Sequence, residues 1–122
     1  MNLWKLDSQT IYSAVPNDFP RPEAPDNPPV FAEGNYFPCS PIDLFETWQI
    51  CVDLAFDLSK ECFDQKWVRT PLLSEGEILR FQFAKLAQSG WGTDEQVIWI
   101  IKRVAHILNW QLPTDIGRVR NI

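Results

Sequence analysis

The sequence predicts a mainly α protein: a three-helix core with a proline-rich, largely irregular N-terminal third packed over it. Three observations carry this reading. One stretch from Ser40 to Trp67 repeats apolar residues at alternating steps of four and three, the spacing of one helix face. Two later stretches each open on a capping-box pattern, Ser74-Glu75-Gly76-Glu77 and Thr93-Asp94-Glu95-Gln96. Eight of the ten prolines fall between Pro16 and Pro41, which keeps that segment out of helix.

From the N-terminus, Leu3, Trp4, Leu6, Ile11, Tyr12 and Val15 mix alternation with polar breaks and leave room for one or two short strands. Pro16, Pro20, Pro22, Pro25, Pro28, Pro29, Pro38 and Pro41 then remove one backbone donor each, which favours extended, polyproline-like backbone over a central strand. The same segment holds Phe19, Val30, Phe31, Tyr36 and Phe37. A free linker is seldom so aromatic, so residues 1–40 are expected to lie against the rest as an extended wrap.

Ser40-Pro41-Ile42-Asp43 is a helix start, with serine as cap, proline at the first position and an acid near the positive end. The helix is expected to reach Gln65 or Trp67 before Thr70-Pro71 stops it. Leu44, Trp48, Cys51, Ala55, Leu58 and Cys62 form its seam, and Phe45, Val52, Phe56 and Phe63 widen the apolar side to roughly 160° of arc. Asp43, Glu46, Asp53, Asp57, Glu61 and Asp64 fall within about 80° on the other side.

A second helix is expected from the Ser74 cap to about Ser89, with Leu79, Phe83 and Leu86 facing one way and Ile78 and Phe81 toward other sides. Gly90-Trp91-Gly92 makes a turn, and a third helix spans about 94–110. Its core seam is Val97, Ile101, Val104 and Leu108, flanked by Ile100 and Ile107. Residues 41–112 make the helical core, and 113–122 a short, mildly basic tail with Arg118 and Arg120. A chain of 122 residues is expected to form a single domain.

Charge and cysteine usage limit the function classes. The net charge is −5, spread as −3 over residues 1–40, −3 over 41–70 and +1 over 71–122. Nucleic-acid binding needs clustered Lys and Arg, so it is not expected. No stretch has the length or apolarity of a membrane span or a signal segment. Cys39, Cys51 and Cys62 show no paired pattern; Cys51 and Cys62 lie about 16 Å apart along one helix face, too far for a bridge. They read as small buried hydrophobes in a reducing, cytoplasmic setting.

Two constellations are candidates for binding. On the third helix, Trp99, Arg103, His106 and Trp110 recur at steps of four, three and four. Trp and Arg are the residue types over-represented at interface hot spots. The simpler reading makes this stripe the floor for the proline-rich segment. On the first helix, Ile50 sits amid Glu46, Asp53 and Asp57, the composition of a small acidic docking site. Its simpler reading is an ordinary solvated face, although the acids lack the interleaved lysines that usually stabilise one.

Catalytic and metal readings find little footing. The three cysteines and His106 have none of the close spacing that zinc sites use. Cys39 is the one thiol placed near a helix N-terminus, and only His106 is available as its base. No phosphate loop, HExxH or GxSxG pattern is present.

Gly90-Trp91-Gly92-Thr93-Asp94-Glu95, with Val97, Ile98 and Ile101, resembles the start of the calcium loop in an annexin repeat. In annexins a distant acidic residue completes the site and the repeat occurs fourfold; neither has a counterpart here. The match is read as the same turn-plus-cap physics, in which glycine ends one helix and threonine caps the next.

The expectation is therefore a small acidic cytoplasmic protein-interaction module of an inhibitor, immunity, antitoxin or phage or secretion assembly kind. Its partner is another protein with a basic surface, and no cofactor, nucleic acid or membrane is involved. Its contact residues are Glu46, Ile50, Asp53, Asp57, Trp99, Arg103, His106 and Trp110. Two alternatives stand beside it: a small enzyme or ligand binder using His106 and Arg103 in a pocket under the proline-rich segment, and a structural homo-oligomer.

Overall fold

The computed structural model of the chain describes residues 7–21, 30–32, 34–37, 39–69 and 72–116. The protein is mainly helical. In chain order the elements are α1 (Ser8–Ala14), β1 (Val30–Ala32), β2 (Asn35–Phe37), α2 (Pro41–Asp64), a π-helical turn (Gln65–Arg69), α3 (Glu75–Gln88) and α4 (Asp94–Leu108). The chain divides into two compact units, residues 1–50 and 51–122. Charge divides with them. The first unit carries seven acids against two bases, and the second carries nine of each, so the whole net charge of the chain belongs to residues 1–50.

The first unit departs from expectation at its start. Residues 8–14 form a helix, not a strand. The Asp7 side chain accepts from the Thr10 backbone N–H at 2.7 Å, which nucleates the first turn. Ile11 and Val15, four apart, are then both buried. Pro16 ends the element. Leu3, Trp4 and Leu6 lie outside the described residues, so only the 8–14 portion of the strand expectation is corrected.

Part of the proline-rich segment is also more regular than expected. β1 and β2 pair antiparallel with Val30 opposite Phe37 and Ala32 opposite Asn35. A two-residue connection needs positive φ, which Gly34 supplies at +78°. In this two-stranded pair each strand is an edge, the place in a sheet where proline-rich sequence is tolerated. The stretch containing Pro22, Pro25, Pro28 and Pro29 lies outside the described residues.

One arginine fastens the exit from α1. The Arg21 guanidinium donates to the carbonyls of Val15, Pro16 and Phe19 at 3.1, 3.0 and 3.0 Å. It also lies 5.0 Å from the Tyr12 ring centroid, and that ring stands 5.3 Å from Phe37. Phe19, Phe37, Cys39, Leu44 and Phe45 are also buried in this unit.

α2 begins as its sequence requires, with the Asp43 N–H reaching Ser40 Oγ at 3.4 Å. Toward its C-terminal half its buried strip is narrower than the apolar arc: Leu44, Phe45, Cys51, Ala55, Ser59 and Cys62 are buried, whereas Phe56 and Phe63 are 52% and 56% exposed. An arc of roughly 160° exceeds what a surface helix must cover, and its margin is left to solvent. Ser59 is tolerated inside because its hydroxyl donates to the Phe56 carbonyl at 2.6 Å.

In the second unit α3 and α4 pack on each other, and α3 also meets the π-helical turn. Both expected capping boxes are formed. Ser74 Oγ accepts from Glu77 N and Glu77 Oε1 accepts from Ser74 N, each at 3.1 Å; Thr93 and Gln96 exchange the same bonds at 3.1 and 3.0 Å. α4 is the core element. Val97, Ile98, Trp99, Ile100 and Ile101 are buried in succession, the state of a helix enclosed on all sides at its start. Farther along only Val104 and Ala105 stay buried, and Ile107 is 40% exposed. The helix closes on Asn109 in the left-handed region, φ 58°. Beyond it Ile116 is buried and Arg80 holds Asp115 through two bonds of 3.1–3.2 Å, while Arg118 and Arg120 lie outside the described residues.

Candidate functional site

The acid row of α2 separates into two parts. At its C-terminal end Arg69 binds Asp64 at 2.8 Å and reaches Glu61 at 3.7 Å, and Lys85 approaches Glu61 at 3.9 Å. Those two carboxylates are satisfied from within. Asp43, Glu46, Asp53 and Asp57 are exposed, and among the described residues no cation lies within ion-pair distance of them. Ile50 is 53% exposed. On a continuous helix, residues 46, 50, 53 and 57 follow one another at steps of four, three and four, and so share a face. A large apolar side chain thus stands among carboxylates that no cation among the described residues neutralises.

The stripe on α4 is interrupted. Trp99 is 7% exposed and belongs to the core, so the expected run from Trp99 to Trp110 is not an open surface. The periodic reading treats α4 as two-faced, but five consecutive buried residues show its first half to be enclosed. Arg103 and His106 are exposed, and Trp110 is half-buried. A pocket opens between the start of α3 and residues 111–114, lined by Ser74, Glu75, Arg80, Gln111, Leu112 and Pro113. It contains neither Arg103 nor His106.

The thiols are buried and free. Burial pushes Cys51 and Cys62 up to about 11, and at Cys39 it outweighs the lowering influence of Arg21. No thiolate is thereby favoured near neutral pH. Among the described residues no three His, Cys, Asp or Glu side chains converge as a metal site, and no helix is long and apolar enough to cross a membrane.

One exposed feature escaped sequence reasoning. Phe56, Phe63, Trp67, Val68 and Leu72 are 52–98% exposed. Its signal is the Phe56-Phe63 pair two turns apart, which periodicity alone places in the core.

Comparison with protein-family models, curated proteins and solved structures returns no match for this chain.

Proposed function

We propose that the protein works by binding another protein through the face of α2 bearing Glu46, Ile50, Asp53 and Asp57. The observation that carries this reading is the exposed Ile50 among three exposed carboxylates that have no cation within ion-pair distance among the described residues. An apolar centre ringed by one sign of charge gives a contact that steers its partner over distance and then anchors it. The partner is accordingly a protein with a basic surface and an apolar recess. Inhibitors, immunity proteins, antitoxins and assembly factors acting in the cytoplasm are the kinds of protein whose task this chemistry suits. Arg103, His106 and Trp110 are kept as a secondary contact, without Trp99.

The test replaces Glu46 and Asp53 by lysine and measures affinity for a protein recovered with the wild-type chain. Both side chains are exposed, so folding is retained and the helical circular dichroism stays unchanged. Affinity is expected to fall, and the wild-type affinity to weaken as salt rises. Equal affinity of wild type and variant at low salt removes the reading.

A further inference from the structure

The acidic face of α2 has a chemical counterpart on α4 of the same sequence. Lys102, Arg103, His106 and Ile107 are exposed on α4. At about 100° per residue they occupy roughly 140° of its circumference. Among the described residues no carboxylate lies within ion-pair distance of Lys102, Arg103 or His106. Asp53 and Asp57 on α2 are in the converse position, exposed and without a cation among the described residues. Each face also carries one exposed isoleucine, Ile50 on α2 and Ile107 on α4.

The order of these groups decides how two such faces can meet. On α2 the acids follow the isoleucine, Asp53 by three residues and Asp57 by seven; on α4 the cations precede it, Arg103 by four and Lys102 by five. Helices laid antiparallel with Ile50 beside Ile107 therefore bring both acids to the cationic end. At about 1.5 Å per residue, Asp53 and Asp57 lie about 4.5 and 10.5 Å from the level of Ile50, and Arg103 and Lys102 about 6 and 7.5 Å from that of Ile107. The flanks agree as well. Measured from each isoleucine in one rotational sense, Asp57 lies back by about 20° and Arg103 by about 40°, Asp53 by about 60° and Lys102 by about 140°. In an antiparallel pair equal senses of rotation meet, so Asp57 faces Arg103 and Asp53 faces Lys102. The remaining axial offsets of about 4.5 and 3 Å are within reach of these long side chains. Laid parallel, the same helices would put acids and cations at opposite ends of the isoleucine contact.

We propose that the partner of the acidic α2 face is a second copy of the chain, which lays Lys102, Arg103 and Ile107 of its α4 antiparallel to Asp53, Asp57 and Ile50. The inference rests on the docking reading above and names the partner. That reading asks for a basic surface with an apolar member, and the chain itself supplies one. Complementary potentials favour this juxtaposition and fix its register, whereas α2 against α2 or α4 against α4 sets like charges together. The contact is small and driven by charge, so the association is weak, depends on concentration and is lost as salt rises.

Sedimentation velocity of the full chain, at low and raised salt and over a wide concentration range, tests it. The proteins compared are wild type, Asp53→Lys with Asp57→Lys, and Lys102→Glu with Arg103→Glu. The substituted side chains are all exposed, and circular dichroism checks that helical content is kept. Wild type is expected to associate as concentration rises at low salt and to dissociate at high salt. Each double variant alone is expected to associate about tenfold more weakly or less still, because both of its faces then carry one sign. An equimolar mixture of the two variants is expected to recover association, since the reversed α2 of one meets the reversed α4 of the other. A wild type that is monomeric throughout overturns the proposal, as does a variant that associates like wild type or a mixture that stays monomeric. A monomeric wild type that still holds a foreign basic protein, lost on Glu46→Lys with Asp53→Lys, overturns self-pairing and leaves the docking reading standing.

Discussion

At the scale of single residues, Arg21 ties three backbone carbonyls of the first unit together. Its three carbonyl contacts hold residues 15–19 in one conformation, and hydrogen bonds from a charged donor contribute more than neutral ones. Arg21→Ala is expected to lower stability by about 2 kcal/mol in urea denaturation, given that such bonds are worth about 1.5–3 kcal/mol. Arg21→Lys should recover little, since an ammonium lacks the planar fork that spans several carbonyls. Stability unchanged in both variants would show that the clamp contributes nothing net.

The thiols lead to a pH dependence. In an unfolded chain Cys51 and Cys62 ionise from about 8.5 upward, whereas folded they keep their protons until about 11. Between those values the folded state holds more protons than the unfolded one, so stability falls as pH rises through that window and is unaffected by these groups below it. Replacing Cys51 and Cys62 by alanine is expected to flatten the slope of stability against pH from 9 to 11 in thermal denaturation, even though the variant starts lower. An equal slope in both proteins would contradict burial as the cause.

At the scale of elements, the caps are where local chemistry and structure agree most closely. Ser74 and Thr93 were recognisable as helix starts because serine or threonine three residues before Glu or Gln satisfies two orphan N–H groups at once. Ser74→Ala and Thr93→Ala are each expected to cost about 1 kcal/mol in chemical denaturation. A loss near zero would mean that packing alone sets these boundaries. The Ser74 bonds also hold the Glu77 carboxyl below its ordinary range, so that contribution is present above the usual carboxylate titration and fades as acid protonates Glu77.

Other elements were legible only in part. The span of α2 followed from its periodicity, but periodicity states which residues can face inward, not how many are covered; Phe56 and Phe63 satisfy the pattern and remain in solvent. Trp99 failed in the opposite sense. Its stripe looked separate from the seam, yet α4 enters the core with its first half enclosed, and no period distinguishes an enclosed helix from a surface one over so short a run. α1 is not legible in the sequence because seven residues give too little pattern to outweigh the apolar alternation before them, and its first turn is capped by a single Asp7 bond. The exposed Glu46, Ile50, Asp53 and Asp57 lay where the helix phase put them. The withdrawal of Glu61 and Asp64 was not readable, since Lys85 comes from α3 and Arg69 depends on the π-helical turn.

At the scale of the whole molecule, the asymmetry of charge is the organising feature. The acid excess belongs to residues 1–50, while residues 51–122 are balanced. α2 runs through both sequence ranges and between positions 43 and 57 presents carboxylates that no cation among the described residues pairs with. Toward its C-terminal end arginine and lysine neutralise the acids, and aromatic rings take over the exposed side. One helix therefore carries an acidic exposed stretch followed by an aromatic one, and the acidic stretch is the one proposed to meet a basic protein.

The most direct test of the docking claim is quantitative affinity capture in parallel with wild-type and Glu46→Lys, Asp53→Lys baits at low and raised salt. A specific protein is expected to be held by the wild-type bait at low salt, released as salt rises and lost from the charge-reversed bait. The same proteins retained in the same amounts by both baits would contradict it.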